Sequence, residues 1–585
     1  MTSGFVGIDF GTTNSLVSFM DGERPALVPN ARGARSTPSV VALSSRGEVL
    51  VGESAKNQAF LNPGNTVIGI KRLLGSREVL RMGDRDYRPA EIAALILGAL
   101  RADAERHLGR SVDRAVVTAP ANFPEPARRD LIEAGRIAGL DIQRILNEPT
   151  AAALSRAWHS AAEEGRDGGG GKGREGESGK GEGGKGRLLL VYDFGGGTFD
   201  VTILRQTGRD CTVLASRGES RLGGMDIDLE LVSRATTDFG KRYGLDVDSD
   251  RLLAQQLADQ AERAKIELSE LMETTIALPF AFRAGDGGLV HPQLSLTREE
   301  FETIAMPFVE KTLELTARAL SDAKIEASKI DRLILSGGSS RMPLVRRLLA
   351  ERFALLPEGA VNPEEVVALG AAVECALISG SERLRVRDVV SRTYGVEIDG
   401  GRFVPLIRKN SPVPSTKQRM FTTVSDDQDS VEVHVLQGES TKIADNLSLG
   451  RFLLAGLRQA RAGVPRIQVD FTIDESDILH VSARDLESGN EQAIRIVDLH
   501  RGVSDESAAA IAAKIVELAE RLKVLSARTQ LDGALGSEIA DAVARGKIAV
   551  EADGEGRLRI LRAELEGLVG ELLSRGVRPV REQEK

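Results

Sequence analysis

The fold is decided by VYDFGGGTFD, residues 191–200. This stretch begins as an apolar strand, carries Asp193 at the end of that strand, and passes through three glycines and Thr198 into a second strand. A similar stretch, GIDFGTTN, occupies residues 7–14 and has Asp9 at the corresponding position. Because each copy consists of a strand, an acidic residue, a glycine- and threonine-rich turn and a further strand, the pair predicts an internally duplicated hairpin.

The turns at 11–13 and 195–198 contain the residue types that bind phosphate. Glycines let backbone N–H groups converge on phosphate oxygens without a Cβ in the way, and threonine hydroxyls add donors. Asp9 and Asp193 repel phosphate unless a cation lies between, and Mg²⁺ takes carboxylate and phosphate oxygens while keeping several waters. The two hairpins therefore predict a site that grips a triphosphate and Mg²⁺ from both sides.

A third glycine turn, LSGGSSRMP at residues 335–343, lies between a predicted strand and a predicted helix. It suits close approach of a base and ribose, and Arg341 is expected to stack on the adenine face. Each turn alone is consistent with a tight connection, but the three in this order indicate a nucleotide site. The sequence has no GxxxxGK[ST] motif, and its DFG triplet lacks the other protein-kinase signatures, which excludes both of those nucleotide-binding classes.

The first 380 residues alternate apolar strand-like runs with longer helical stretches, which indicates an α/β domain. The predicted strands include Phe5–Ile8, Ala115–Thr118, Leu188–Tyr192 and Leu333–Leu335, and the predicted helices include Ala90–Leu108, Ala127–Ala138, Leu252–Ser269 and Arg298–Ala319. Residues 165–187 break this alternation with twelve glycines among lysine, glutamate and arginine. Such a composition buries little apolar surface, so a disordered insertion is expected rather than a phosphate-binding segment.

Beyond about residue 393 the pattern changes to alternating apolar and polar residues, as in 431–435 and 467–473. This alternation predicts a half-buried antiparallel sheet. From Ser504 the pattern becomes helical, with a capping serine and apolar residues at helical spacing through 511–522 and 558–572. Such apolar faces indicate packing rather than chemistry.

The bulk composition limits the function classes. The net charge of −9 gives no basic surface for nucleic acid. Two cysteines, Cys211 and Cys375, exclude a disulfide framework and favour a reducing compartment. No apolar run approaches the length of a membrane span, and the first residues do not resemble a signal peptide, so a cytoplasmic protein with no membrane partner is expected.

The three turns resemble those of the actin, sugar-kinase and heat-shock ATPase superfamily. Longer stretches resemble the heat shock protein 70 family of DnaK-type chaperones specifically: VIGIKRLLG (67–75), RILNEPTAAA (144–153), ERAKIELS (262–269), VNPE (361–364), HVLQGE (434–439) and ILHVSARD (478–485). The resemblance extends from residue 4 to about 502. It implies an actin-like (ribonuclease H-like) α/β ATPase domain at 1–380, a linker at 381–392, a β-sandwich peptide-binding domain at 393–502 and a shortened α-helical lid at 503–585.

The resemblance also implies roles at the nucleotide site. Lys71 would position the attacking water and neutralise charge on the γ-phosphate, and Glu148 would help arrange that water, in a catalytic set with Asp9, Asp193 and Thr198. Asp9, Asp193 and Asp200 would hold Mg²⁺ through water. The residues implied to contact ATP or ADP are Gly11, Thr12, Thr13, Gly195, Gly196, Gly197, Thr198, Gly223, Gly224, Glu262, Lys265, Ser269, Gly337, Gly338, Ser339, Arg341 and Glu364.

For the β-domain, the resemblance implies a groove for an extended peptide with a pocket for one apolar side chain. That pocket would be formed by Val396, Ile398, Phe421, Val431 and Val433, residues that ordinary sheet core would explain as well. An arch over the groove would consist of Asp399 and Val424, and the charge of Asp399 suggests a preference for basic peptides or a weaker clasp. Pro120, Arg128 and Asp388 would couple the two domains, although the linker run 384–390 is more charged than is usual in the family.

These features predict an ATP-dependent chaperone of the stress response, in which ATP binding opens the peptide groove and hydrolysis closes it on an unfolded polypeptide. The resemblance implies a J-domain co-chaperone and a nucleotide exchange factor as partners. An alternative is a specialised regulator or scaffold for a narrow set of clients with low ATP turnover, which the charged arch and linker would suit. A third alternative, a sugar-kinase-like phosphotransferase, does not explain the β-domain.

Overall fold

The structure is a computed structural model of the 585-residue chain. It describes residues 4–164, 186–279, 282–283, 289–357, 362–381, 384–399, 401–487, 491–495 and 581–582. The chain divides into two compact units, of which the first comprises Met1–Ser391, Lys409–Pro414 and Asp474–Ile478. The second unit comprises Arg392–Arg408, Ser415–Ile473 and Leu479–Lys585.

The first unit combines mixed sheets with helices, as the alternating sequence pattern predicts. Its strands in chain order are β1 (Gly4–Asp9), β2 (Asn14–Asp21), β3 (Arg24–Val28), β4 (Thr37–Pro38), β5 (Val40–Leu43), β6 (Val49–Val51), β7 (Thr66–Ile68), β8 (Leu80–Met82), β9 (Arg85–Tyr87), β10 (Val112–Ala119), β11 (Asp141–Asn147), β12 (Arg187–Phe194), β13 (Phe199–Thr207), β14 (Asp210–Glu219), β15 (Glu273–Ala277), β16 (Phe282–Arg283), β17 (Leu289–Val290), β18 (Gln293–Thr297), β19 (Arg332–Ser336) and β20 (Arg385–Arg387). Its helices are α1 (Glu53–Ala59), α2 (Pro89–Leu108), α3 (Glu125–Ile137), α4 (Glu148–Glu164), α5 (Gly224–Tyr243), α6 (Arg251–Glu267), α7 (Arg298–Ala323), α8 (Pro343–Phe353) and α9 (Val366–Ile378).

The helix boundaries follow local sequence signals. Thr297 accepts a hydrogen bond from the Glu300 backbone N–H at 3.2 Å, and this cap starts α7 at the predicted residue. The α7 helix runs past the predicted Ala319 to Ala323 and has Pro307 inside it. The α3 helix begins two residues before the prediction because Pro126 is tolerated in a first turn.

The two large sheets repeat one topology. In the sheet β11-β10-β1-β2-β3, strand β1 pairs antiparallel with β2 and parallel with β10. In the sheet β19-β12-β13-β14-β20, strand β12 likewise pairs antiparallel with β13 and parallel with β19. The duplication predicted from the two glycine-rich stretches is thus present as two equivalent hairpins. Each hairpin turn lies at the end of a buried, almost wholly apolar strand, and this fixes the turn rigidly.

The segment assigned to the linker contributes a strand. Residues Arg385–Arg387 form β20, which pairs parallel with β14 at the edge of the second large sheet. The charged sequence of this run does not predict a strand. Its backbone hydrogen bonds to β14 do not depend on side-chain polarity, and Val386 packs partly buried against the neighbouring core.

The second unit is built from antiparallel strands: β21 (Tyr394–Ile398), β22 (Arg402–Ile407), β23 (Ser415–Thr422), β24 (Ser430–Gln437), β25 (Leu447–Ala455), β26 (Ile467–Ile473), β27 (Leu479–Asp485), β28 (Glu491–Arg495) and β29 (Arg581–Glu582). They form the sheets β22-β21-β24-β25 and β28-β27-β26-β23-β29. Strand β26 alternates between buried and half-buried residues as predicted. Strand β24 is instead buried along its whole length, and its polar residues His434 and Glu432 are hydrogen-bonded to side chains of β21 and β25.

Some predictions fall on residues outside the described ranges. These are most of the glycine-rich insertion at 165–187 and, apart from β29, the lid at 503–585. Within the described part of the chain, no helix combines the length and apolar character needed to cross a bilayer.

Candidate nucleotide site

The two duplicated turns press against each other in the first unit. A Cβ added to Gly197 would lie 2.4 Å from Oγ1 of Thr12, and one added to Gly196 would lie 2.1 Å from Oγ1 of Thr13. Both distances are far below van der Waals contact, so glycine is required at these positions. The threonines of the first turn therefore face the glycines of the second, and the turns predicted to bind phosphate meet at one place.

The third turn and the segment at 223–224 converge on the same place. Ser339 Oγ donates to the Gly195 carbonyl at 2.9 Å, and the Gly224 N–H donates to the same carbonyl at 3.0 Å. Gly337 has a φ of +80°, and a Cβ there would lie 2.4 Å from the Phe194 carbonyl oxygen. Because the backbone of Gly337 is left-handed and lies this close to the Phe194 carbonyl, only glycine fits at this position. The glycines predicted to surround one nucleotide are thus neighbours in space.

Three aspartates lie at the strand ends beside these turns. Asp9 ends β1, and Asp193 pairs in register with Asp200 across the second hairpin. Thr118 Oγ1 donates to Asp9 Oδ1 at 2.8 Å, and the Asn122 N–H donates to Asp200 Oδ1 at 3.1 Å. These hydrogen bonds fix the orientation of the carboxylates.

The aspartates form an acidic cluster with Glu148. Burial raises the pKa of Asp9 to about 7, with Glu148 adding to the shift and Lys71 opposing it. Burial, again reinforced by Glu148, raises the pKa values of Asp193 and Asp200 well above the ordinary range. These raised pKa values reflect burial and mutual repulsion of the ionised carboxylates, so a cation placed among them would stabilise their charged forms.

Lys71 and Glu148 form a buried ion pair between their Nζ and Oε1 atoms. Lys71 is 2% exposed and Glu148 is 7% exposed. Lys71 lies in a short 3₁₀ turn, Ile70–Leu73, that follows Gly69 in the left-handed region, while Glu148 is the first residue of α4. A lysine and a carboxylate held beside the acidic cluster can orient a water molecule and stabilise negative charge.

The residues assigned to the nucleoside occupy neighbouring positions. Lys265 Nζ lies 3.1 Å from the Gly224 carbonyl and 2.6 Å from Asp228. Glu262 accepts from Lys56 at 3.0 Å. Ser269 follows the end of α6.

The Arg341 side chain is hydrogen-bonded within the protein, which the sequence did not predict. The sequence suggests a side chain ready to stack on adenine, but its Nε donates to Glu364 at 3.0 Å and its Nη2 donates to Asn362 at 2.8 Å. The guanidinium plane is therefore already oriented by two partners, one of which is itself a predicted nucleoside contact. Asn362 was not predicted, although it lies in the VNPE stretch.

The residues assigned to coupling form a buried hydrogen-bond network around Asn147, all within the first unit. Arg128, fully buried, donates to Asn147 Oδ1 at 2.6 Å and to the Pro120 carbonyl at 3.4 Å. Asn147 Nδ2 in turn donates to Asp388 Oδ2 at 3.0 Å, and Thr150 donates to the same oxygen at 2.9 Å. Asn147 directly precedes Glu148, so the network reaches the acidic cluster through one peptide bond.

Besides Asn362, sequence reasoning missed Asn147, Arg72 and Thr118, which also shape this site. Arg72 Nη2 donates to the Gly197 carbonyl at 2.7 Å and to Asp226 at 2.6 Å, so it connects the Lys71 segment to the glycine turn. Asn147 and Arg72 lie inside stretches that carry the family resemblance, and this location could have indicated that they belong to the site. Thr118 carries no such signal, because its contact with Asp9 depends on the parallel pairing of β1 with β10.

The residues assigned to the peptide groove lie in the second unit, and the five apolar ones are at most 3% exposed: Val396, Ile398, Phe421, Val431 and Val433. Asp399 is exposed in the turn after β21, and Val424 is half-buried after β23. The apolar residues thus belong to the interior of the unit, while the two arch residues lie at its surface.

Known proteins match nearly the whole length of the chain. The family model described as Hsp70 protein matches residues 5–534. The chaperone protein DnaK of Thermotoga maritima is 40% identical over 573 residues, covering 97% of this chain and 92% of the relative. The chaperone protein DnaK of Thermosipho melanesiensis is 43% identical over 502 residues, 85% of this chain and 80% of the relative, and that of Thermosipho africanus is 43% identical over 507 residues. The converging glycine turns, the buried acidic cluster and the matches along nearly the full length show that the chain belongs to the Hsp70 family.

Proposed function

We propose that this chain is an ATP-dependent chaperone that captures extended apolar segments of unfolded polypeptides and releases them when ATP binds. Members of the Hsp70 family are ATPases, and the curated relatives are named as chaperones. The proposal assigns 1–380 to an actin-like ATPase domain, 381–392 to a linker, 393–502 to a β-sandwich peptide domain and 503–585 to a helical lid. The observation that carries it is the contact between the turns at Thr12 and Gly197 beside a buried acidic cluster.

The phosphates of ATP would lie between the turns at 11–13 and 195–198, where backbone N–H groups and threonine hydroxyls supply donors. The adenosine would lie toward Gly224, Ser339 and the Arg341–Glu364 pair. That pair presents a guanidinium already held in a fixed orientation, which lowers the entropy lost when a base stacks on it.

The acidic cluster fits Mg²⁺ bound through water. Oxygen ligands are the type that Mg²⁺ selects, and it retains several of its own waters. Among the described residues no three His, Cys, Asp or Glu side chains are arranged to ligate a metal directly, so contact through water is the arrangement consistent with Asp9, Asp193 and Asp200. Mg²⁺ would neutralise the phosphate and carboxylate charges where these groups meet.

Lys71 would hold the attacking water and offset charge that develops on the γ-phosphate. Its bond to Glu148 keeps the ammonium group fixed in a buried site, where an electrostatic contact is stronger than in water. Glu148 accepts from Lys71 and begins α4, so movement of α4 would be transmitted to the water position. Thr198 closes the second turn beside Asp200 and supplies a further donor.

Coupling would run from Glu148 through Asn147 to Asp388 of the linker segment. A change at the γ-phosphate that shifts α4 would alter the bonds that Asn147 and Thr150 make to Asp388. Pro120 and Arg128 form the other side of the same network. Two sites joined in this way influence each other reciprocally, so peptide binding would also alter nucleotide affinity.

In the second unit, the apolar set Val396, Ile398, Phe421, Val431 and Val433 would form the floor of the peptide pocket, with Asp399 and Val424 arching over it. An exposed carboxylate at the arch favours peptides with nearby basic residues. A J-domain co-chaperone and a nucleotide exchange factor are the proposed partners, and cytoplasmic location remains an expectation from the sequence.

Release of a fluorescent apolar peptide on adding Mg·ATP to the full chain tests the proposal. Rapid release with ATP and retention with ADP are expected. Failure of ATP to release peptide, together with binding to a single sequence in a peptide array, would instead support the specialised scaffold. The matches to the Hsp70 family model and to DnaK chaperones do not favour that alternative.

A further inference from the structure

The polar face of the β21-β24-β25 sheet brings three chemically active side chains together. His434 on β24 accepts or donates at both ring nitrogens: Nδ1 lies 2.6 Å from Glu397 Oε2 on β21, and Nε2 lies 2.7 Å from Ser448 Oγ on β25. His434 is 4% exposed, Glu397 is half-buried, and Ser448 is exposed. An exposed hydroxyl, a buried imidazole and a carboxylate are thus connected in series within the second unit.

The strand register explains why the three meet. His434 lies directly opposite Arg451 on β25, and a register shift then pairs Leu436 with Ser448. The shift adds one residue to β25 and so aims Ser448 toward His434. Val433 and Val435 flank His434 along the strand and point to the opposite face, which separates this cluster from the apolar set assigned to the peptide pocket.

The hydrogen bonds assign the roles. With the Glu397 carboxylate as acceptor, Nδ1 of His434 carries the proton and Nε2 directs its lone pair at the Ser448 hydroxyl. The distances of 2.6 and 2.7 Å are within the reach required of an acid–base–nucleophile series. The geometry is that of a serine activated by a histidine that a carboxylate orients.

Burial favours a neutral imidazole at His434. Burial lowers the pKa of His434, and Arg451 lowers it further, while the hydrogen bond to Glu397 and the charges of Glu397 and Glu432 act in the opposite direction. Arg451 is paired with Glu432 at 2.9 Å and with Glu397 at 3.4 Å, which places a guanidinium beside both carboxyl groups. A neutral imidazole at neutral pH is the state that can accept the serine proton.

We propose that Ser448 is a nucleophile activated by His434 and positioned through Glu397, and that it accepts acyl groups from activated esters. In the first step the Ser448 Oγ attacks the acyl carbon while its proton passes to His434 Nε2. The tetrahedral adduct collapses, the ester C–O bond breaks, and the leaving alcohol or phenol takes the proton from the imidazolium. The acyl ester on Ser448 is then hydrolysed by water, with His434 again accepting the proton.

The test uses p-nitrophenyl acetate with the full chain in the absence of nucleotide. A burst of p-nitrophenolate and an acetyl group on Ser448, located by peptide mass spectrometry, are expected. Ser448→Ala should abolish that burst, and His434→Gln should slow acylation about 100-fold. Ser440→Ala is the matched control, because Ser440 is bonded to Asp445 at 3.1 Å in place of a histidine, and it should leave the burst unchanged.

The pH dependence separates activation from a structural role of the cluster. The acylation rate should rise with pH, with a midpoint below the ordinary histidine value, and then level off as His434 becomes neutral. Glu397→Gln removes a group that raises the pKa of His434, so the midpoint should move lower and the plateau rate should fall about 10-fold. Acetyl groups found on lysines with Ser448 unmodified in the wild-type chain would overturn the proposal, even if the His434 and Glu397 variants failed to fold.

Discussion

The side-chain amide of Asn147 donates to Asp388 at 3.0 Å, and Asn147 is joined by one peptide bond to Glu148 of the acidic cluster. The same amide accepts from the buried guanidinium of Arg128 at 2.6 Å. Each of these bonds involves a charged partner, the stronger class of protein hydrogen bond. The position of Asp388 is therefore tied to the nucleotide site by the side chain of Asn147, together with that of Thr150 on α4.

This arrangement predicts that Asn147→Ala uncouples the two activities. The variant should bind ATP with near wild-type affinity, while ATP-triggered release of a fluorescent peptide should slow about 10-fold, a loss typical of an allosteric coupling free energy. Stopped-flow release and nucleotide titration measure the two quantities. Asn65→Ala serves as the control, because Asn65 Nδ2 donates to Asn62 Oδ1 at 3.0 Å in the segment between α1 and β7. Normal release in a folded Asn147 variant would exclude this route.

Lys71→Ala is predicted to bind ATP and to lose hydrolysis by about 10²–10³-fold, because removing one preorganised charge from a buried site costs that much in turnover. Single-turnover hydrolysis and equilibrium nucleotide binding give the two values. Lys311→Ala is the matched control, since Lys311 lies half-exposed on α7 and pairs with Glu314 at 3.6 Å. If the Lys71 variant kept its turnover, another group would have to hold the attacking water.

Gly197→Ala is predicted to weaken ATP binding by about 10–100-fold, because the new Cβ would overlap Thr12 and push the facing turns apart. Gly98→Ala makes the same chemical change inside α2, where a Cβ would meet nothing within 4 Å. That control should raise the free energy of unfolding by about 1 kcal/mol through helix propensity and leave ATP affinity unchanged. Equal ATP affinity in the two variants would show that the turns do not hold the phosphates.

Some of this site was predictable from sequence and some was not, for a physical reason. The hairpin turns and the start of α7 depend on local signals, namely glycine, threonine and capping residues within a few positions, and those predictions agree with the structure. The bond between Lys71 and Glu148, and the pairing of Arg341 with Glu364, depend on how distant segments pack. Burial of β24 on both faces likewise depends on side chains from two neighbouring strands. The residue types indicate which side chains need a hydrogen-bond or ion-pair partner, but the strand register determines which partner each side chain contacts.

Because the pKa values of the acidic cluster are raised, the increase in thermal stability on binding nucleotide is predicted to depend on pH. The pKa of Asp9 is raised from 3.8 to about 7 in the folded chain, so between these values the folded chain binds more protons than the unfolded chain. Stability of the nucleotide-free protein should therefore fall as pH rises through this window. Mg·ATP relieves the repulsion, so it should raise Tm by about 3 °C more at pH 8 than at pH 5.

Two variants that are expected to change Tm in opposite directions test whether repulsion within the acidic cluster lowers stability. Asp193→Asn should raise the Tm of the nucleotide-free chain at pH 8, because it removes a buried charge from the cluster, and it should weaken the response to Mg·ATP. Asp322→Asn removes the carboxylate that pairs with Arg217 at 2.7 Å and should lower Tm. Thermal scans at both pH values decide the matter, and a Tm gain from Mg·ATP that is the same at both would contradict the prediction.

Val431→Phe is predicted to fill the proposed peptide pocket and to weaken client binding by at least about 10-fold. Val431 is fully buried on β24, so the larger ring must either occupy the pocket or strain the sheet by about 1–3 kcal/mol. Val481→Phe in the other sheet of the second unit is the matched control, since Val481 is 2% exposed on β27 and would suffer similar strain. Fluorescence anisotropy of a labelled apolar peptide, with far-UV circular dichroism to confirm folding, separates the two effects. A pocket at Val431 requires that this variant lose affinity while the control keeps it; equal affinities would place the groove elsewhere in the second unit.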